Sequence, residues 1–446
     1  MSSNHKSKRP GSPMGQPAPV LRPGFRLALS ALVVLSLAAA GLYFMRHGVK
    51  PVPPASTAAA TPDGSTSKPD SLPETAQPLP APIKETTQIA VAAKPARPSE
   101  TAPATAAPEP NPQARQLIAD LSNLELVGRT MTPEQVEGWK QNLQQLVKLG
   151  RDSVPAIAEF LKQNKDVDFG TSVSQALGYG SVRRAMFEAL TQIGGPEGVA
   201  ATRDVLHDSA DPREIALLAR ALDKMAPEEH RQEAVQAARE TLAMVSSGKL
   251  EGVDVGPLFE VLQKYGGAAI APELEQWVNQ WKYYGATALA QLPEGAGVPT
   301  LARLAQGTSS ARLTALEMLA HLSIQYPDAK AALVDQVRAN KITPSVWPYL
   351  VSGLAGDEYH YQSSEVDDTL SRARPDDVKT THIRYGNQNL YSAPSAASLT
   401  PEVINQRMSF IDELKASTSD PAALQALQES REVLAKRLPR SVAVAP

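Results

Sequence analysis

The string EALTQIGGPEGV at residues 188–199 aligns without gaps to TALAQLPEGAGV at 287–298. The identities are Ala189/Ala288, Leu190/Leu289, Gln192/Gln291, Gly198/Gly297 and Val199/Val298; Ile193 faces Leu292, and Arg213 then falls on Arg312. The offset of 99 residues holds three units of about 33. A weaker echo, LVKLGRDSVPAIAEFL at 146–161, keeps the apolar–Gly–turn–Val–Pro order of GVPTLARL at 297–304. Repetition constrains the fold because a unit too small to bury its own apolar face has to stack on its neighbours. Function is then expected on an extended surface rather than in a cleft.

The repeating unit reads as helix–turn–helix. Met186, Leu190 and Ile193 form one helical stripe, Gly194-Gly195 ends it, and Pro196 opens a second helix with Val199, Val205 and Leu206 apolar. Asp211-Pro212 opens a third, striped by Ile215, Leu218, Leu222 and Met225. Thr132-Pro133-Glu134-Gln135 is a capping box with proline at the first helical position, predicting a helix to about Leu149 that Gly150 stops. Further starts stand at Ser153-Val154-Pro155, Thr343-Pro344, Thr400-Pro401 and Asp420-Pro421, and further stops at Gly266 and Gly356. No run of alternating strands is expected. The fold class is therefore all-α: an α-solenoid of antiparallel helix pairs over 113–355 and a helical hairpin within 400–446. The hairpin stripes are Ile404, Met408, Ile411 and Leu414, then Leu424, Leu427, Val433 and Leu434. It would cover the open end of the stack. Between them, 356–399 loses the helical rhythm and is expected to be a long irregular loop, partly ordered by Tyr359, Tyr361, Tyr385 and Tyr391.

Val182-Arg183-Arg184-Ala185, Glu188-Ala189-Leu190, Ile193-Gly194, Pro196-Glu197 and Val199 together resemble the HEAT-like repeat family, in particular its short units named after phycobilisome lyases. The likeness is strongest over 181–212, weaker over 287–320 and slight over 113–165 and 226–275. It implies stacked helix pairs with a concave inner surface of the kind that mostly binds proteins. Lyase chemistry belongs to a minority of that family and does not follow from the repeat.

The N-terminal part has a different character. Leu27–Met45 is 19 uncharged, mostly apolar residues, enough to cross a hydrocarbon layer of roughly 30 Å as a helix. Lys6, Lys8, Arg9, Arg22 and Arg26 precede it and only Arg46 and Lys50 closely follow, which orients the tail 1–26 to the cytoplasm. The alternative is a signal peptide cleaved after Ala40, behind Ala38-Ala39-Ala40. Either way the bulk of the chain is expected across a bacterial inner membrane, in the periplasm. Fifteen of the 38 prolines lie in 51–112. Such Pro/Ala/Ser/Thr composition cannot bury enough apolar surface to offset the entropy of ordering, so 46–112 reads as a disordered tether. Its coil span is roughly 40–50 Å.

The formal net charge is −3 without a basic domain, which removes the electrostatic driver of nucleic-acid binding. The absence of cysteine excludes disulfides, thiolate metal sites and cysteine nucleophiles. No metalloprotease, nucleophile-elbow, phosphate-loop or calcium-loop motif is present. No cofactor or metal is implied. The turn Gly194–Gly198 reads as an inter-helix joint rather than an anion site, and Trp277 and Trp281 as core. A metal held by His360, His382 and nearby carboxylates would need ligand spacing that the sequence lacks. Candidate partner contacts are Arg183, Arg184, Arg213 and Arg312, which recur near helix starts, and Tyr283, Tyr284, Tyr359 and Tyr361. The leading expectation is a non-enzymatic, membrane-tethered scaffold or adaptor for a protein partner. The alternatives are an enzyme with a site between the 356–399 loop and the solenoid groove, or an envelope protein that binds peptidoglycan.

Overall fold

The computed structural model describes residues 88–90, 94, 109–123, 131–361, 381–385, 388–394 and 399–438. All of them lie in the second of two units, Pro82–Pro446, the first being Met1–Ala81. The basic tail 1–26, the apolar stretch 27–45 and most of the tether 46–112 fall outside the described residues. Among those described, no helix is long and apolar enough to cross a membrane.

The chain is mostly helical. A strand, β1 (Gln88–Ala90), precedes α1 (Pro112–Ser122), α2 (Pro133–Lys148) and α3 (Val154–Lys162); β2 (Lys165–Val167) and α4 (Gly170–Leu177) follow. Next come α5 (Val182–Ile193), α6 (Gly195–Asp208), α7 (Pro212–Met225), α8 (Arg231–Ser246), α9 (Gly256–Tyr265) and α10 (Ala271–Val278). Then follow α11 (Lys282–Ala290), α12 (Val298–Gln306), α13 (Arg312–Leu322), α14 (Pro327–Arg338) and α15 (Trp347–Ala355). Strands β3 (Asp357–Tyr361), β4 (Thr381–Tyr385) and β5 (Gln388–Pro394) lead to α16 (Pro401–Ala416) and α17 (Pro421–Arg437).

Local chemistry places most helix ends. The Thr132 hydroxyl accepts from Gln135 N–H while the Gln135 side chain accepts from Thr132 N–H, the reciprocal box that the sequence predicts. Ser181, Asp211, Thr400 and Asp420 each cap the helix that follows them. The expected start at Thr343-Pro344 is early, since a turn intervenes and α15 begins at Trp347. In the C-terminal hairpin Val433 is 41% exposed, so it leaves the expected stripe; Ala423, Leu427, Ser430 and Leu434 face inward instead.

The helices form two layers. In the first, α2, α5, α7, α9, α11, α13, α15 and α17 each pack on the next. The second runs as one file, α1–α3–α6–α8, and another, α10–α12–α14. Three helical hairpins, α5/α6, α7/α8 and α9/α10, separate α5 from α11, matching the 99-residue echo. The echo also has a shared cause. A Cβ on Gly198 would meet the Leu190 carbonyl oxygen at 3.1 Å, and one on Gly297 would meet the Leu289 carbonyl oxygen at 2.0 Å. At both places the second helix of the hairpin starts against the backbone of the first, tightly at Gly198 and so closely at Gly297 that a side chain there would force the backbone apart.

Two expectations are corrected. Residues 356–399 are not simply an irregular loop, because β3, β5 and β4 form an antiparallel sheet in that order. Its β3 and β5 strands lie on α9 and α11, and β3 also on α15, all first-layer helices. Secondly, part of the tether is ordered: Gln88, Ile89 and Ala90 pair antiparallel with Val167, Asp166 and Lys165. Composition had ruled out a core within the tether. It did not rule out the use of another segment's strand edge to satisfy backbone groups.

Candidate functional site

Where the sheet meets the helices, side chains distant in sequence converge. Along β3, Tyr359 and Tyr361 are buried and His360 is only partly so, giving a period of two. Cross-strand partners share a face, and the partners of Tyr359 and Tyr361 on β5 are Ser392 and Leu390, also buried. This alternation was the available signal in DEYHY; β5 shows none, since Tyr391 between Leu390 and Ser392 is buried as well.

Three contacts form a chain of oxygens. The Tyr359 hydroxyl lies 2.7 Å from Glu317 Oε1 and 3.1 Å from Ser352 Oγ, and Ser352 Oγ lies 2.5 Å from Asp357 Oδ2. The Tyr359 hydroxyl donates toward Glu317, with Ser352 as its longer second contact, and the Ser352 hydroxyl donates to Asp357. Glu317 is 5% exposed: burial pushes its pKa up to about 7, aided by the charge of Asp357 and opposed by the Tyr359 hydrogen bond. Burial likewise raises the Tyr359 hydroxyl well above its ordinary value.

His321, one turn beyond Glu317 on α13, stands edge-on to the Tyr359 ring with centroids 6.3 Å apart. Burial first, and then the nearby charge of Arg407, lowers its pKa to about 4, so it is neutral at pH 7. Its Nδ1 has no partner among the described residues. Gly353 allows this closeness, since a Cβ there would meet the Glu317 carbonyl oxygen at 2.6 Å. Arg407 of α16 caps the end of α15, donating to the carbonyls of Gly353 and Leu354 at 3.1 and 3.2 Å.

A second seam holds β5. The Tyr284 hydroxyl on α11 donates to Asp254 Oδ1 and accepts from Asn389 N–H; Asn389 Nδ2 adds a bond to Asp254 Oδ2 at 3.2 Å. Burial raises the Asp254 carboxyl, against the pull of Tyr284, Gly256 N–H, Asn389 and Arg213. Gln388 Oε1 accepts from Tyr283 N–H at 3.1 Å, and Gln291 Nε2 donates to the Tyr359 carbonyl at 2.7 Å. The Tyr361 ring lies edge-on to the Tyr284 ring with centroids 6.0 Å apart, and its buried hydroxyl has no partner among the described residues.

These placements correct several expected partner contacts. Arg183, Tyr284, Tyr359 and Tyr361 are buried and present no side chain at a surface. Arg183 is 1% exposed: its guanidinium grips Glu214 at 2.6 and 3.0 Å and donates to the Leu161 carbonyl at 2.7 Å, tying α5 to α7 and α3. Arg312 donates to the carbonyls of Ala305 and Lys341 at 3.0 and 2.6 Å, stitching consecutive hairpins. Arg184, half-buried, lies against Gly180; Arg213 and Tyr283 are also half-buried. The arginine recurrence in the sequence thus marks internal clamps at Arg183 and Arg312. Other pairs bridge helices in the same way, among them Arg115–Glu159, Arg239–Glu273 and Arg303–Glu275.

The histidine reading is sharpened by register. His360 and His382 both pair with Tyr391 from opposite sides of β5, so Tyr391 stands between them, and the His360 ring stacks on it at 4.7 Å. Among the described residues no three His, Asp or Glu groups gather as metal ligands. At the other end of the stack a groove of about 400 Å³ lies between α1, α3 and β2, with Ile118, Ala156, Phe160 and Val167 in its wall.

No protein-family model matches the chain, and no curated protein matches it.

Proposed function

We propose that this chain is a membrane-tethered scaffold or adaptor, a HEAT-like α-solenoid that presents a protein-binding surface in the periplasm. The observation that carries this reading is the pair of matched glycine joints, Gly198 on Leu190 and Gly297 on Leu289, three hairpins apart within a continuous first layer. A stack built that way offers a long surface of helix flanks and turns, the geometry suited to a protein partner. The anchor at Leu27–Met45 and the tether behind it would hold that surface at a distance from the bilayer.

The test is photocrosslinking in intact cells. A photoreactive residue replaces Tyr349, which is 49% exposed, or Arg203, whose side chain is 42% exposed. Discrete protein adducts, lost on truncation before residue 109, are expected from at least one position in the membrane-tethered chain. Adducts confined to cell-wall material would favour the peptidoglycan alternative, and absence of any adduct at both positions would overturn the scaffold reading.

A further inference from the structure

The β2 edge is a strand acceptor built independently of the strand that occupies it. The Asp166 carboxylate accepts from Arg183 N–H at 3.0 Å and from Val167 N–H at 2.8 Å, and Asp168 forms a β-bridge to Ser181. These contacts tie β2 to the start of α5, inside the helical stack. A short strand fixed on a helical surface offers backbone groups not used in that fixing to an extended chain, with the Val167 N–H already taken by Asp166.

The occupant is held lightly by comparison. β1 contributes three paired residues, too few to be stable alone. Four residues further on, Lys94 supplies the second hold. Its N–H donates to the Asp208 carbonyl at 2.9 Å, and its ammonium reaches the Ala237 carbonyl at 3.3 Å and Glu240 at 3.1 Å, with the side chain 9% exposed. The tether thus meets the stack at two described places, at β2 through Gln88–Ala90 and at α6 and α8 through Lys94. The apolar-walled groove between α1, α3 and β2 adjoins the same strand.

We propose that the β2 edge is a peptide-binding site occupied by the chain's own Gln88–Ala90 and Lys94, and that its external ligand is an extended segment of a partner protein carrying a lysine four residues beyond the paired strand. The proposal rests on the scaffold reading for the ligand being a protein. Exchange follows from the linkage. The tether competes at an effective concentration of about millimolar, so it screens weak ligands and yields to a segment that binds better or is itself locally concentrated.

The experiment uses the full chain, the doubly substituted variant Ile89→Pro/Lys94→Glu, and the synthetic peptide QIAVAAK, which has the sequence of residues 88–94. Proline removes a strand donor, and glutamate faces Glu240 with like charge. Hydrogen exchange reads the Lys165 and Asp166 amides, since the Val167 amide is held by Asp166 in either state, and fluorescence anisotropy reads peptide binding. The expected result is protection in the wild type, loss of it in the variant, and restoration when peptide is added. Peptide should bind the variant roughly tenfold or more tightly than the wild type, by removal of the internal competitor. QIAVAAE should fail to restore protection. Equal exchange in both chains, or a variant that neither binds QIAVAAK nor regains protection, overturns the proposal. Circular dichroism of the variant guards against loss of the helical stack. Neither readout uses the partner, so failure here leaves the scaffold reading standing on its own test.

Discussion

The α5/α6 and α11/α12 hairpins carry the matched sequence and the same glycine joint, yet they do different work. In α5/α6 the polar investment is internal, with Arg183 buried against Glu214 between hairpins. At the corresponding positions 99 residues on stand Lys282 and Leu313, and that ion pair is gone. Instead Ala185 is replaced by Tyr284, whose hydroxyl reaches Asp254 and β5. Gln192 bonds Glu188 on its own helix at 3.0 Å, whereas Gln291 holds the Tyr359 carbonyl of β3. One repeat position thus serves the stack in one place and seats a sheet in another. Repeats keep their joint and vary the residues around it.

Breaking the internal clamp should have the largest effect. Arg183→Met strands the Glu214 carboxylate, which burial already pushes above its ordinary value, and is expected to cost about 3–5 kcal/mol in urea unfolding. Arg183→Met with Glu214→Leu, which copies the apolar character of Leu313, should recover much of that loss. No recovery would mean that the pair does more than neutralise itself.

The sheet-covered region should show itself through pH. Glu317 rises from an ordinary 4.5 to about 7 on folding, so its contribution is full below pH 4.5 and is lost as the pH rises through 7. Glu317→Gln keeps an acceptor for the Tyr359 hydroxyl and removes that loss. Near pH 8 the variant is expected to be more stable than wild type by up to about 3 kcal/mol, with the difference shrinking toward acid. His321, lowered to about 4, contributes fully above its ordinary 6.5 and loses that contribution as the pH falls through 4. A gap between the two chains that stays constant with pH would show that Glu317 does not titrate in this range.

Tyr284→Phe leaves the buried Asp254 and Asn389 N–H short of a partner, at a cost of about 1–3 kcal/mol. Faster hydrogen exchange is expected over 388–394 and unchanged exchange in α5; uniform acceleration along the chain would contradict a local clamp. The smallest contrast is between the two glutamines. Gln291→Ala should cost about 1 kcal/mol through the lost bond to β3, and Gln192→Ala, an exposed change, within about 0.5 kcal/mol. Equal effects would remove the distinction between the two hairpins.

The β3–β5 ladder escaped the helical reading because its strands are short and residues 362–387 intervene between them, whereas the β4–β5 ladder is a local hairpin with only residues 386–387 between its strands. The partner contacts were misplaced for a related reason. A recurring arginine has the same sequence signature whether it meets water or a carboxylate from the next hairpin, and Glu214 stands 31 residues from Arg183. Caps, stops and stripes were legible because each depends on residues within one or two turns. Thr132 with Gln135, Gly194 and the Ile404–Ile411 stripe need no distant partner.

By itself the sequence determined the all-α character, the repeat interval, most helix starts and the C-terminal hairpin, since local backbone chemistry and periodicity suffice for these. Only the tertiary structure decided that Arg183 is an internal clamp, that 357–361 and 388–394 close over α9 and α11, and that Gln88–Ala90 and Lys94 of the tether return to the stack. Those outcomes depend on which buried groups find a hydrogen-bonding partner, and each partner was supplied from another part of the chain.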